Sequence, residues 1–321
     1  GVKRRRRLVE HEEGRILVKC AGDGDLLRLA AGDHHAMRVK IAVKHRVEAV
    51  RHAQKAFAEP GLPQADLRPR AVNIRSDGKK AYRHNTENIE ITSKTDKDGI
   101  DIIIKPGTKN ESVHIPVVLS ESGLTDLVYN DFFVGDNCDV TIVAGCGIHN
   151  CGVQNSQHDG IHTFHVGKNA RVRYIERHYG EGDGNGENIM NPTTVVELDE
   201  GSYMEMETTQ IKGVDSTVRT TNAKLGPRAT LIIREKVMTH GKQHAKSDFT
   251  VDLNGAGCHT NVISRSVARG QSHQVFMARI NGNAPCYGHS ECDAIIMDNG
   301  VVAAIPEVTA NCVDAELIHE A

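Results

Sequence analysis

The turn sequence Val134-Gly-Asp-Asn-Cys138 recurs in altered form along the chain, and this recurrence decides the fold. Each copy begins with an aliphatic residue and has a small residue four positions later. The copies are Val134–Cys138, Val166–Ala170, Leu198–Ser202, Leu225–Ala229, Leu253–Gly257, Ile280–Ala284 and Val308–Cys312. Their first residues are 32, 32, 27, 28, 27 and 28 positions apart. One structural unit is therefore predicted to recur seven times.

Short segments rich in Val, Ile and Thr, such as Val140–Val143 and Leu231–Ile233, alternate with these turns. A turn rich in Gly and Asn followed by a small residue is typical of a β-solenoid corner, where the backbone visits positive φ. We predict a mainly β domain over residues 71–321, a parallel β-helix with two or three strands per coil. A β-sandwich or propeller is the alternative. Cys138 and Cys312 fill the small-residue position and are predicted to pack in corners.

Residues 1–70 have a different pattern. Apolar residues at helical spacing predict an amphipathic helix over residues 33–59, which begins at Asp33 and ends at Glu59-Pro60-Gly61. We expect this helix to pack on the β domain, with a linker over residues 61–70. Residues 1–32 have no firm assignment.

The composition excludes several classes of function. A formal net charge of −3 gives no general reason to bind nucleic acid, and the basic run Lys3–Arg7 is interpreted as a solvated arm. No apolar run is long enough to span a membrane, so we expect a cytoplasmic protein. The eight cysteines then indicate packing, metal binding or sulfur chemistry rather than disulfides. Neither a nucleophile elbow nor a phosphate-binding P-loop is found.

Candidate ligands are concentrated near the end of the sequence. In Cys286-Tyr-Gly-His289-Ser-Glu-Cys292 the two thiols should share one face of a strand, with His289 on the other. Glu320 follows Cys292 by 28 residues, which is one repeat, so these two side chains are predicted neighbours on one face. An exposed polar pair on the solenoid wall is the alternative.

Two other groups of ligand types are weaker candidates. They are Cys146, His149 and Cys151, and His158, His162 and His165. Glycine turns interrupt both groups, and neither has the spacing of a structural zinc site.

Five motifs resemble the SufB/SufD family of iron–sulfur cluster assembly proteins, and SufB more than SufD. They are Val128-Tyr-Asn-Asp-Phe-Phe, His158-Asp-Gly-Ile-His-Thr-Phe, Ser264-Arg-Ser-Val-Ala, Cys286-Tyr-Gly-His-Ser-Glu-Cys-Asp-Ala and Leu317-Ile-His-Glu-Ala. The resemblance implies a right-handed parallel β-helix flanked by helical segments. It also implies pairing through the C-terminal end of the β-helix, as a homodimer or a SufB/SufD-type heterodimer, with the nascent cluster formed at that interface.

The resemblance further implies a scaffold without its own ATPase motif, and therefore not an enzyme. Cys292, Glu320 and His319 are the implied cluster ligands, and Cys286 and His289 are second choices. The cluster would be a transient [4Fe–4S] species, supplied by a sulfur donor protein and with a reduced flavin as a candidate participant. A SufC-type ATPase docks on a family tail that this sequence does not include. The alternatives are a SufD-like subunit that binds no cluster and a polysaccharide-active β-helix enzyme.

Overall fold

The computed structural model describes residues 69–320, and this part of the chain consists of strands and turns without a helix. The helix predicted over residues 33–59 lies outside the described residues. The first ten strands are β1 (Arg70–Ser76), β2 (Lys79–His84), β3 (Ile89–Ser93), β4 (Gly99–Ile104), β5 (Lys109–Leu119), β6 (Thr125–Val134), β7 (Asp139–His149), β8 (Ser156–Val166), β9 (Arg171–Glu181) and β10 (Asn188–Met190). The others are β11 (Thr193–Leu198), β12 (Tyr203–Lys212), β13 (Ser216–Leu225), β14 (Thr230–Thr239), β15 (His244–Leu253), β16 (Cys258–Ala268), β17 (His273–Gly282), β18 (Cys286–Ile296), β19 (Val301–Ala310) and β20 (Ala315–Glu320).

The strands form two ten-stranded sheets that the chain enters alternately. Sheet A has the order β2-β1-β5-β7-β9-β12-β14-β16-β18-β20, and sheet B has the order β19-β17-β15-β13-β10-β8-β6-β4-β3, with β11 also between β8 and β13. All strand pairs are parallel except β1–β2 and β3–β4 at the N-terminal end. The predicted parallel β-solenoid is confirmed, with one strand per sheet in each coil. We call the space between the sheets the lumen.

The corners have the predicted backbone. Asn137, Asn169 and Gly201 all have positive φ, and each donates its backbone N–H to a carbonyl in the turn of the next coil. Asparagine and glycine adopt this left-handed conformation at the lowest cost, which explains why they recur in these turns.

A column of small residues lies at the start of successive strands of sheet A, either as the first residue of the strand or directly before it. It consists of Cys138, Ala170, Ser202, Ala229, Cys258, Cys286 and Ala315. The corner position predicted for Cys138 is confirmed. The same prediction is wrong for Cys312, which lies in the turn before β20, because Ala315 occupies that corner instead.

The predicted alignment of repeats also fails at one coil. Val134, Val166, Leu198, Leu225 and Leu253 stack as expected, but the residue beside Leu253 is Gly282 and not Ile280. A side chain at residue 282 has no room, because a Cβ there would lie 2.7 Å from Ala315 Cβ and 3.2 Å from Cys286 Sγ. The aliphatic residue of this coil therefore lies two positions earlier, where Ile280 stacks on Val251.

The lumen is filled by apolar side chains that stack from coil to coil. Phe132 and Phe164 stack with ring centroids 4.4 Å apart, and Tyr174 packs edge-on against Phe164 at 4.8 Å. Each fully buried side chain of this size contributes about 1.5–3 kcal/mol. Among residues 69–320, no helix is long and apolar enough to cross a membrane.

Candidate metal centre

Strands β18 and β20 form the C-terminal end of sheet A and contain the predicted ligands. Along β18 buried and partly exposed residues alternate, so Cys286 and Cys292 face the lumen while His289 faces outward. This is the orientation that strand geometry predicts. Both thiols are buried, and burial raises the pKa of each above the usual value.

The predicted contact between Cys292 and Glu320 is wrong. The register pairs Ser290 with His319 and Glu291 with Glu320, so this coil is 29 residues long rather than 28. A difference of one residue changes the face of a strand. Glu320 therefore points outward, with 67% of its side chain exposed, whereas Cys292 is only 7% exposed and packs in the core.

Three outward side chains form the best-defined ligand set of the described residues. The ligand atoms of His289, Glu291 and Glu320 all lie within 4.8 Å of one another, and His289 Nε2 is 3.7 Å from Glu320 Oε2. His289 Nδ1 donates to Asn261 Oδ1 at 3.0 Å, which leaves Nε2 as the free ligand atom. Arg265 Nη2 lies 3.1 Å from Glu291 Oε1 and holds that carboxylate in place.

The predicted ligand His319 lies on the lumen side of β20. Its Nδ1 is 2.9 Å from the hydroxyl of the fully buried Ser290. Cys292 lies two residues after Ser290 on the same face of β18. The pairing of β20 with β18 ends at Glu320, beside Glu291, so no residue of β20 lies beside Cys292 in register. The structure thus brings His289 and Glu320 together outside and leaves Cys292 and His319 facing the lumen. Cys286 belongs to the corner column, where its neighbours in register are Cys258 and Ala315.

The family model described as "SUF system FeS cluster assembly, SufBD core domain" matches residues 128–321, more than half of the chain. The chain belongs to the SufBD family. Three archaeal proteins named as iron–sulfur cluster assembly SufBD family proteins are similar to it. Identity is 27% with that of Methanocaldococcus jannaschii, 28% with that of Archaeoglobus fulgidus and 22% with that of Methanothermobacter thermautotrophicus.

These similarities cover 68–70% of this chain and 69%, 60% and 54% of the three proteins, respectively. Membership of the SufBD family associates the chain with iron–sulfur cluster assembly. It removes the support for the polysaccharide-active alternative. Both β18 and β20, with all the predicted ligands, lie within the matched SufBD core.

A second cluster of reactive groups lies inside the solenoid. Cys146 lies near the imidazoles of His158 and His178, which act on it electrostatically, and His158 Nδ1 is 3.0 Å from Asp126 Oδ2. Burial opposes ionisation of Cys146, but the two histidines outweigh it and lower its pKa to about 7. Burial also disfavours the charged form of His158, but Cys146 and Asp126 outweigh it and raise its pKa to about 10. The charges of this cluster thus favour a thiolate at Cys146 and an imidazolium at His158.

The part of this cluster that comes from the neighbouring coil was not predicted from the sequence. His178 lies beside Cys146 in register, and Glu176 precedes His178 by two positions. The spacing of 32 residues between Cys146 and His178 equals the first repeat step, so the repeat itself could have identified the pair. The weaker candidates His162 and His165 do not join them, because His162 contacts Tyr174 and His165 lies outside against Glu197.

The polar cluster continues along the lumen toward β18. Arg219 hydrogen-bonds the Glu176 carboxylate and lies 3.6 Å from Glu235, which accepts a hydrogen bond of 2.8 Å from Ser264. Ser264 is the neighbour of Cys292 in register. Burial would raise the pKa of Glu176, but Arg219 and His178 outweigh it and hold that pKa well below its usual range.

The last coil of the SufBD core exposes an apolar surface. We define the end-coil patch by its exposed aliphatic side chains, which are Ile295, Ile296, Met297, Val301, Ile305, Val308, Val313 and Ile318. Val313 is 97% exposed. Exposed apolar side chains concentrated in one region are typical of interfaces, and these adjoin the strands that contain the candidate ligands.

Proposed function

We propose that this chain is a scaffold component of SUF-type iron–sulfur cluster assembly, on which a transient cluster, taken as [4Fe–4S], is built at the C-terminal end of the solenoid. Family membership supports the process. The C-terminal end of the solenoid is supported as the place of assembly by the pair His289 Nε2 and Glu320 Oε2, which lie 3.7 Å apart on the neighbouring strands β18 and β20. The His289 ring is held by Asn261.

The outward triad suits ferrous iron as an incoming substrate. Imidazole and carboxylate are ligands that ferrous iron accepts, and three of them leave coordination positions open for sulfide. The hydrogen bond from His289 Nδ1 to Asn261 orients the ring and increases the basicity of Nε2. Arg265 partly neutralises Glu291, so the triad can stay assembled before iron arrives.

Cys292 is the proposed sulfur acceptor. The Cys292 sulfur would attack the outer sulfur of a persulfide on a donor protein and form a persulfide on Cys292, while the released donor thiolate takes up the proton of the Cys292 thiol. Release of sulfide takes two electrons for each sulfur from an external reductant, for which a reduced flavin is a candidate. Burial, then Glu235 and Asp293, raise the pKa of Cys292, so the resting side chain is a protonated thiol.

A second subunit would complete the site through the end-coil patch. Cys292 and Glu320 face opposite sides of one chain, so a cluster that uses both would take ligands from two chains. A homodimer would supply each residue twice, with His319 contributed by the partner. A SufD-type partner would form a heterodimer instead, and a SufC-type ATPase would supply the energy.

The test is anaerobic reconstitution with ferrous iron and sulfide, measured by visible absorbance and by iron and acid-labile sulfide content. Cys292→Ala, Glu320→Ala and His289→Ala should each lower cluster content. Glu316→Ala is the matched control, because Glu316 lies on the same strand and the same outward face as Glu320. Undiminished cluster content in both Cys292→Ala and Glu320→Ala would overturn the assignment.

The dimer is tested separately by sedimentation. Ile305→Glu, in the end-coil patch, should yield monomers, whereas Ile211→Glu, at an equally exposed site on the wall, should not. Dimers that survive Ile305→Glu and a second patch variant, Val313→Glu, would place the interface elsewhere.

The separation of Cys292 from Glu320 also favours a second candidate, a SufD-like assembly subunit that binds no cluster. This function predicts no iron or sulfide on the wild-type chain purified without oxygen, together with stable pairing to a different subunit.

A further inference from the structure

A cavity of about 250 Å³ opens into the lumen at the N-terminal end, the opposite end of both sheets from β18 and β20. Its floor is apolar and includes Ile100, Ile115, Val117 and Val128. Its rim is basic, with six cationic side chains: Arg75, Lys79, Lys80, Arg83, Lys94 and Lys97. Asp98 is the one carboxylate among the lining residues. A chain of net charge −3 thus concentrates positive charge at this opening.

Two of these cations are neutralised by carboxylates behind them. Arg75 Nη2 lies 2.6 Å from Asp126 Oδ1, and its contact with Asp98 is longer, at 3.6 Å. Lys94 is bound by Asp101 and by Asp131. Neither side chain therefore requires a further anion.

The other four cations have no carboxylate partner among the described contacts. Arg83 donates to uncharged acceptors, Asn73 Oδ1 at 2.9 Å and Ile91 O at 3.5 Å, and burial lowers its pKa. Lys97 lies 4.4 Å from the centre of the Tyr129 ring. Lys79 and Lys80 are exposed. The rim therefore has an excess of positive charge around a concave opening.

A β-bulge gives the rim its shape. The register between β1 and β2 shifts after Ile74, where Ala81 is the extra residue. Lys80 and Arg83 would lie on opposite faces of an unbroken strand because they are three residues apart. The bulge lets both line the same cavity.

We propose that this cavity binds a phosphate group, held by Lys79, Lys80, Arg83 and Lys97. A phosphoryl group has close to two negative charges and three acceptor oxygens, which matches several unneutralised cations better than a single carboxylate does. The guanidinium of Arg83 offers paired donors to such oxygens. The apolar floor would contact the rest of an organic phosphate. The volume suits a small molecule rather than a peptide.

The test is calorimetric titration of the full chain at low ionic strength with pyrophosphate, ADP and adenosine. We expect pyrophosphate and ADP to bind and adenosine not to bind. Loss of one charge-assisted hydrogen bond in Arg83→Gln should weaken binding by about tenfold or more. Lys80→Gln should also weaken it, and because Lys80 is exposed this variant keeps the test valid if Arg83→Gln does not fold. Lys236→Gln, a cation on the outer wall, is the control and should bind as the wild type does.

Equal affinity for pyrophosphate and ADP would support the site with the inorganic anion as its ligand. Tighter binding of ADP would support an organic phosphate whose apolar part contacts the floor. Adenosine that binds as tightly as ADP would overturn the proposal. So would wild-type protein that binds neither anion at millimolar concentration, or Lys80→Gln and Arg83→Gln variants that both retain wild-type affinity.

Discussion

Replacing Arg219 by methionine should destabilise the solenoid strongly. Arg219 is only 4% exposed, and its guanidinium lies between two carboxylates that are also buried, those of Glu176 and Glu235. Methionine retains much of the apolar volume of arginine but removes the charge. Two carboxylates in the lumen would then lose their shared cation, although His178 would remain 3.5 Å from Glu176.

Removing one partner of a buried ion pair costs about 3–5 kcal/mol, because the other charge stays buried without compensation. In a domain of this size a change of 1 kcal/mol moves the melting temperature by about 2–4 °C. We therefore expect Arg219→Met to lower the melting temperature by about 6–20 °C. This decrease in melting temperature exceeds the effect of lost packing alone, because methionine retains much of the apolar stem of arginine.

The measurement is thermal and urea unfolding followed by circular dichroism. Lys236→Met is the control, because Lys236 contacts Glu207 at 2.9 Å but is 56% exposed, and exposed pairs contribute about 0–1 kcal/mol. Adding Glu176→Gln to Arg219→Met should restore part of the lost stability. The reasoning is refuted if Arg219→Met and Lys236→Met lower the melting temperature equally, or if the added Glu176→Gln restores nothing.

Three further predictions concern acid stability, backbone contact and the corner cysteine. Burial raises the pKa of Asp126, but His158 and Arg75 outweigh it and lower that pKa from 3.8 to about 2. The ionised Asp126 carboxylate therefore stabilises the fold by about 2 kcal/mol above pH 4, and this contribution is lost between about pH 4 and pH 2. Asp126→Asn should be less stable than the wild type in urea at pH 7 and equal to it near pH 2, and a constant difference would contradict this. Gly180→Ala should unfold at a markedly lower temperature than Gly107→Ala. Its Cβ would lie 1.8 Å from the Gly213 carbonyl oxygen, whereas Gly107→Ala has only the backbone strain of a positive φ of 77° and meets nothing within 4 Å. Equal melting temperatures would show that the backbone at Gly213 moves away without a measurable cost in stability. Cys286→Ala should reconstitute clusters as the wild type does, since alanine fills this corner in other coils, and lost cluster absorbance would instead make Cys286 a ligand.

The architecture was predictable from the sequence because a solenoid repeats its local rules. Val134, Val166 and Leu198 mark the same position in three successive coils, and asparagine or glycine follows where the backbone needs positive φ. Stacking imposes the same requirement in each coil, so even a short pattern is informative. The number of strands per coil was less constrained, since turns within a coil resemble turns between coils.

The candidate site was less predictable because contacts in a solenoid depend on the length of each coil. A repeat length averaged over several coils is accurate enough to identify the fold. It is not accurate enough to pair Cys292 with Glu320, because an error of one residue moves a side chain to the other face. Cys286 and Cys292 were placed correctly on one face, because both lie on the same strand. The contact between Arg219 and Glu176 was not predicted, because these residues come from different sheets and meet only across the lumen.

The 29-residue coil between Glu291 and Glu320 means that the ligand set depends on the parity of turn length as well as on residue identity. A slide of β20 by one position would turn Glu320 and Ile318 inward and bring Leu317 and His319 to the surface. One inserted or deleted codon in the turn over residues 311–314 can therefore exchange the inner and outer chemistry of this end without changing any ligand. Relatives with identical motifs but a different turn length would present a different set of atoms to iron, and their ligands should be compared by coil register before they are compared by sequence alignment.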